Sequence, residues 1–449
     1  MHIGISTYAP VLIYVGAILA ALLSIFRNPR IGFYFLVPFI PMQTVRYWVH
    51  QYPMGEKLVD VLLLSILIGL LIHSEKPVFV SSPLNKVILI FCVLTFLALW
   101  EGSFLQDLPL PISFNDERFS NWKNYVEMMC IFFIAAAAIK TPKQMVITLV
   151  LVCISVLAIN RSYHSTVAGR DYSQFSDNLR EAGPLGYAGE NGMGAFQAQM
   201  AVFLLGLTTF CKKKSIRLGL WAVAFTCVYC LIFTFSRGGY LGLLVGILIL
   251  GLIRERKLLL CLVVLLFVWE GILPNAVRER VFMTYQEGQG LDSSAQERVA
   301  IWTDAIDVIT HNPVLGRGFN TYEFMGRVGS YRDTHNYYLK LLVELGFVGL
   351  LAFLWLIASA ARMAWRLFRN AREPLSRAIG CAVFAMLTCA AVVNLFGDRW
   401  SYLQVNGFLW LFLGMTARGL WLAEREVHPQ EAVMISEIQS PDVAHVVQT

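Results

Sequence analysis

A few arginines and one histidine are the residues of this chain best suited to do chemistry. His335 stands in Asp333-Thr334-His335-Asn336, between a glycine- and arginine-rich stretch and a long apolar run. Thr334 has the side chain of a helix N-cap, which predicts His335 in the first turn, at the positive end of the helix dipole. That position disfavours the imidazolium, so a neutral ring able to accept a proton is expected there. Arg237 stands in Phe235-Ser236-Arg237-Gly238-Gly239, directly between two long apolar runs and with no acid beside it in sequence. A guanidinium at such a boundary is costly without a counter-ion, and a ligand anion is a fitting one. Arg298 follows the capping box Ser294-Ala295-Gln296-Glu297, in a helix marked by Val299, Ile301, Trp302, Ala305, Ile306 and Ile309. Its planar fork suits two-pronged binding of phosphate oxygens, as a diphosphate would require. The plain alternative for each arginine is an ion pair on a loop, and Glu297 beside Arg298 keeps that alternative open. Spacing alone does not bring the three residues together.

The elements that must position these groups are membrane helices. The chain has 449 residues, 57% hydrophobic and 15% charged. Apolar segments recur from about 10–26 to about 403–423, many of them reaching the roughly 17–25 residues that cross a bilayer. The expected architecture is all-α, a polytopic helical bundle of about 12 spans forming a single domain over 1–423. The segment at 31–43 is short and contains Pro38 and Pro41, which predicts a kinked or re-entrant piece and leaves the side of the N-terminus open. The start of the chain has no basic region, so its first apolar run is expected to be a retained helix.

Basic loops fall on alternate connections: Lys140/Lys143, Lys212–Lys214 with Arg217, Arg254/Arg256/Lys257, and Arg362 to Arg377. The positive-inside rule assigns these to the cytoplasm. The opposite side then receives the long segment 274–335, read as a folded cap, and an unexpected set of arginines that includes Arg180, Arg280, Arg317, Arg327, Arg332 and Arg399. The polar segment 424–449 is expected to be a disordered cytoplasmic tail. All nine cysteines lie in or beside apolar runs and read as small core hydrophobes. No phosphate-binding loop, dinucleotide fingerprint, zinc spacing or nucleophile elbow occurs, so no cofactor, metal or nucleic acid is expected. Asn191 and Glu344 are either supporting site groups or partners in hydrogen bonds between helices. Tyr337 and Tyr338 fit an interfacial aromatic belt.

Three motifs in order resemble a known family: Ser236-Arg237-Gly238; Glu297-Arg298-x-x-x-Trp302 with Gly316-Arg317-Gly318; and His335-Asn336-x-x-Leu339 with Gly346-x-x-Gly349. Together they look like the O-antigen ligase and polymerase superfamily of bacterial inner-membrane glycosyltransferases, over about 185–350. The resemblance implies a GT-C-like fold of about 12 spans, with a periplasmic loop over the active site. It further implies transfer of a glycan from undecaprenyl diphosphate to lipid A–core, inverting and metal-independent. In that picture Arg237, Arg298 and Arg317 bind the diphosphate, and His335 activates the acceptor hydroxyl or orients the donor. Ser236, Asn336, Tyr338, Glu344 and Asn191 are the supporting positions. A polymerase or a protein O-oligosaccharyltransferase would share this chemistry. An anion transporter is the reading from another class, and it predicts broken helices or inverted halves, neither of which the sequence displays.

Overall fold

The computed structural model describes residues 5–42, 44–74, 78–283, 285–286, 290–291, 293–327 and 334–427. Arg332, Asp333 and nearly all of the expected tail lie outside them, and the last helix runs on through Glu424 to Val427. The first helices are α1 (Ile5–Phe26), α2 (Pro29–Leu36), α3 (Thr44–Val49), α4 (Leu58–His73), α5 (Pro83–Leu105), α6 (Glu117–Ala138), α7 (Pro142–Val167) and α8 (Gly189–Thr208). Then come α9 (Lys214–Ile232), α10 (Arg237–Ile253), α11 (Arg256–Ile272), α12 (Asn275–Phe282), α13 (Ser293–His311), α14 (Tyr337–Asn370), α15 (Pro374–Val393) and α16 (Leu403–Val427). A ribbon pairing Tyr285–Gln286 with Gly290–Leu291 is the one β element among the described residues.

Among the described residues, six helices (α1, α5, α7, α9, α14 and α15) are long and apolar enough to cross a membrane, and α11 with α12 makes a seventh if that pair, bent by 115°, counts as one span. The other long helices are more polar for a physical reason. α8 is buried continuously from Gly192 to Thr208, enclosed by α9, α10, α15 and α16. A helix walled in by protein can carry amides, because neighbouring helices satisfy them. Gln197 donates its amide N–H to Asn160 Oδ1 of α7 at 2.7 Å. The proline-containing segment near residue 38 is the short helix α2 followed by a single 3₁₀ turn, Val37–Phe39.

α8, α9, α10, α11 and α15 share one polarity of ends. Lys212, Lys214, Arg254, Arg256 and Arg377 cluster at one end, and Asn191, Phe235, Arg237 and Val393 at the other. That second end is covered by α12 and α13. On α13 the buried stripe is Ile301, Ala305 and Val308, packed on Tyr322 and on Val343 of α14. Val299 and Ile306, expected inward from the apolar spacing, are 49% and 53% exposed.

α14 is broken, contrary to the expectation of unbroken helices. Gly346 takes φ +61°, ψ −163°, nine residues into the helix. The carbonyls released there are taken by the loop that follows α13: Arg317 N–H donates to Val343 O at 2.8 Å and Gly318 N–H to Glu344 O at 2.9 Å. In return Phe347 and Val348 donate to Pro313 O and Val314 O, at 2.8 and 3.2 Å. The fit leaves no room for side chains. A Cβ on Gly346 would sit 2.2 Å from Val314 O, and one on Gly316 (φ +78°) would sit 2.5 Å from Glu344 C. The loop thus splices into the helix and closes its backbone hydrogen bonds.

Candidate active site

The sequence Phe235-Ser236-Arg237 folds as a helix start rather than a bare turn between spans. Ser236 is the N-cap of α10, its Oγ accepting from Gly239 N–H at 3.3 Å. Arg237 is therefore the first helical residue, at the positive end of the dipole. Phe235 before it is buried and held at φ +53°, a conformation that costs a non-glycine residue about 1–3 kcal/mol. The close seat of this turn on α8 depends on Gly194, where a Cβ would meet Ser236 Cβ at 2.5 Å.

Around this turn lies a cleft lined by Arg237, Arg280, Arg298 and Arg399, with Asn191, Phe396 and the Phe235–Gly239 backbone completing the wall. Arg237 comes from α10, Arg280 from α12, Arg298 from α13, and Arg399 from the link between α15 and α16. Four guanidinium groups meet here, and the lining contains no Asp or Glu among the described residues. Arg280 is buried with its guanidinium 4.8 Å above the Phe175 ring, which fixes its direction. Arg399 is set by its backbone: its N–H donates to Asn394 Oδ1 at 3.0 Å, and its carbonyl accepts from Asn406. Next to it Asp398 pairs with Lys340 at 2.9 Å. Burial pushes the Asp398 carboxyl up, but Lys340 and two hydrogen bonds with Ser401 outweigh it and hold it below the usual carboxylate range. Arg180, at Asn191 (3.2 Å), is balanced by Glu190 at 2.8 Å.

The expected partners of Arg237 separate into two groups. Arg298 and Asn191 join it, and Ser236 builds its turn. Arg317 does not, because its backbone is committed to the splice and it lines a different cleft at the other end of α13. Arg280 and Arg399 were visible in sequence only as two arginines on an unexpected side. No spacing signal tied them to Arg237.

His335 is half-buried, and its placement differs from the expected one. Asn336, not Thr334, caps α14, accepting from Tyr338 N–H at 3.0 Å and Leu339 N–H at 3.2 Å. His335 therefore precedes the helix, with φ +50° in the left-handed region. Thr334 instead donates its hydroxyl to Asn336 O at 2.6 Å. Two bonds hold this corner against the walls of the arginine cleft. Trp302, one turn after Arg298, donates its indole N–H to Thr334 O at 3.0 Å. Tyr338 donates to Ala391 O at 2.9 Å, just before the cleft residue Val393. Tyr337 is buried with its hydroxyl against that of Tyr125, so it belongs to the bundle core and not to an interfacial belt. Glu344 is buried at the splice, nearly two turns further along α14 than Tyr338.

The family model described as O-antigen ligase matches residues 222–354. Over that segment the chain is similar to the O-antigen ligase family. The segment begins within α9, ends within α14, and contains the cleft residues Arg237, Arg280 and Arg298; His335 lies in it too but does not line the cleft. Asn191 and Arg399 reach the cleft from outside the O-antigen ligase segment. The match and the apolar helices fit a glycosyltransferase-like role in a membrane. No curated protein matches the chain.

Proposed function

We propose that the arginine cleft binds the diphosphate of a lipid-linked glycan and that the protein transfers the glycan to lipid A–core. The observation that carries this reading is the convergence of Arg237, Arg280, Arg298 and Arg399 on one cleft at one end of the apolar helices. A diphosphate has several oxygens, each able to take two parallel N–H bonds from a guanidinium. Arginine keeps its charge at any physiological pH, so the four guanidinium groups stay cationic.

In the reaction, the acceptor hydroxyl oxygen forms a bond to the anomeric carbon of the donor sugar, and the bond from that carbon to the phosphate oxygen breaks. The configuration at that carbon inverts, and the lipid diphosphate leaves with both electrons of the broken bond. The developing negative charge is met by fixed guanidinium groups that need no reorganisation, a charge stabilisation that in this reading requires no metal. The hydroxyl proton passes to a ring nitrogen of His335, the general base. The basic ends of the helices face the cytoplasm in this reading, and the cleft faces the periplasm of the inner membrane. The remaining long helices cross with the seven apolar ones, giving the GT-C-like bundle of about 12 spans. The carrier is undecaprenyl diphosphate.

The break in α14 is the one observation that favours a transporter, since transporters coordinate ions at interrupted helices. Its carbonyls are already taken by Arg317 and Gly318, so the break offers no open ligand. A polymerase or a protein O-oligosaccharyltransferase would use the same cleft with another acceptor. The test is a transfer assay with purified protein, an undecaprenyl-diphosphate glycan and lipid A–core. Product from the wild type that is lost in Arg237→Ala supports the reading. Elongated glycan on the carrier, with lipid A–core unmodified, would replace ligase by polymerase.

A further inference from the structure

A second cleft opens at the other end of α13. Arg298 near the start of α13 lines the first cleft and His311 at its end lines the second, which puts them about 20 Å apart at 1.5 Å per residue. The second wall is of mixed character. Val308 and Met325 give it an apolar part, while Gln106, Asn312, His311 and Arg317 supply amide, imidazole and guanidinium groups. Amides and guanidinium beside an apolar patch suit a sugar, which offers hydroxyls at its edges and C–H groups on its faces.

The charges in this cleft are unequal. Arg327 is held by Asp304 at 3.3 Å and by Asp307, and His311 lies 3.6 Å from the same Asp307. Arg317 has no such counter-ion: among the described residues no carboxylate pairs with it. Its neighbour is the Gln106 amide, which with its oxygen turned toward the guanidinium accepts from Nε and Nη2 at 3.2 Å each. That contact orients the fork and leaves its charge uncompensated. The backbone of Arg317 is fixed by the splice to Val343, so the guanidinium projects from a rigid base.

We propose that this second cleft binds an anionic sugar of the acceptor glycan, with Arg317 meeting its phosphate or carboxylate. The assignment of the ligand to the acceptor rests on the function proposed above, because the donor diphosphate is given to the first cleft. Arg317 is then a specificity-determining residue about one helix length from the transfer point.

The test is direct binding, independent of turnover. The probe is the water-soluble core oligosaccharide released from lipid A–core by mild acid, titrated into purified full-length protein in nanodiscs. It is used as isolated, after phosphatase treatment, and after carboxyl reduction. Binding of undecaprenyl diphosphate is measured in parallel to report on the first cleft. The expected result is binding that Arg317→Gln weakens at least tenfold, while Arg237→Ala leaves it unchanged. Because the Arg317→Gln variant retains the backbone N–H given to Val343, its thermal unfolding and its affinity for undecaprenyl diphosphate stay at wild-type values. Loss of affinity after phosphatase assigns the anion to phosphate, and loss after reduction assigns it to carboxylate. No binding by the wild type, equal binding by Arg317→Gln, or affinity untouched by both treatments would each overturn the proposal. Loss of undecaprenyl diphosphate binding in Arg317→Gln would return Arg317 to the donor site and overturn it as well. If Arg237→Ala leaves undecaprenyl diphosphate binding intact, the reading of the first cleft fails by itself, and the oligosaccharide titration still decides the second.

Discussion

Trp302 donates its indole N–H to the carbonyl of Thr334 at 3.0 Å, and this bond fastens the helix carrying Arg298 to the residue before His335. Two of the groups assigned to opposite ends of the transfer, the leaving diphosphate and the entering hydroxyl, are thereby held to a common frame. Trp302→Phe keeps the ring and removes the bond, at a cost of about 0.5–1.5 kcal/mol. The expected outcome is a fall in kcat with little change in donor KM, since the cleft remains while its register to His335 loosens. A fall confined to KM would place Trp302 in donor binding alone.

The arginines of the cleft are expected to divide by role. Removing a hydrogen bond to a charged group costs about 1.5–3 kcal/mol, which is about 10- to 150-fold in affinity. Arg298→Ala should weaken donor binding by that factor. Arg298→Lys should recover only part, because an ammonium keeps the charge and loses the fork. Full recovery by lysine would mean that charge alone is recognised. The measurement is donor KM for the three proteins at one ionic strength.

Gly346→Ala and Gly316→Ala test the splice. Each adds a methyl group where backbone atoms already stand at 2.2 and 2.5 Å, at a positive φ that alanine resists. Both should lower thermal stability sharply, by more than the 1–3 kcal/mol typical of overpacking. Wild-type melting in detergent for either variant would show that the loop and the helix break are not locked together.

Asp398 gives a pH signature. Its folded pKa lies below its unfolded value, near ~3.9. Ionisation therefore favours the folded state, fully so above about pH 4, and this stabilisation is lost as pH falls through the lower folded value. Asp398→Asn removes the carboxylate 2.9 Å from the Lys340 ammonium, a loss of about 3–5 kcal/mol for a buried pair. The variant should be less stable than the wild type at pH 7, and the gap should narrow at low pH. A gap that is constant with pH would mean that the pair contributes by shape alone.

The readability of the site in the sequence followed the range of the physics involved. Arg237 could be singled out because a lone cation between apolar runs is a local anomaly, and Arg298 because a capping box and apolar spacing announce a helix. Arg280 and Arg399 could not, since their places depend on the 115° bend after α11 and on the Asn394 bond that turns the α15–α16 link. The cap of α14 was misplaced by two residues. Thr334 and Asn336 are both good caps, and the choice between them was made by the tertiary bond from Trp302 to the Thr334 carbonyl. Gly316-Arg317-Gly318 read as a site motif only through the family resemblance. Its glycines serve the break in α14, and no helical periodicity reports a break closed by a distant loop.

The central claim is that four arginines bind the diphosphate of a lipid carrier, and the most direct measurement is the affinity of undecaprenyl diphosphate for the purified protein in nanodiscs. The account predicts that Arg237→Ala weakens it at least tenfold, that Arg280→Ala and Arg399→Ala each weaken it measurably, and that Arg327→Ala leaves it unchanged. Equal affinity for the wild type and Arg237→Ala would contradict the account, and so would equal losses in Arg327→Ala and Arg237→Ala.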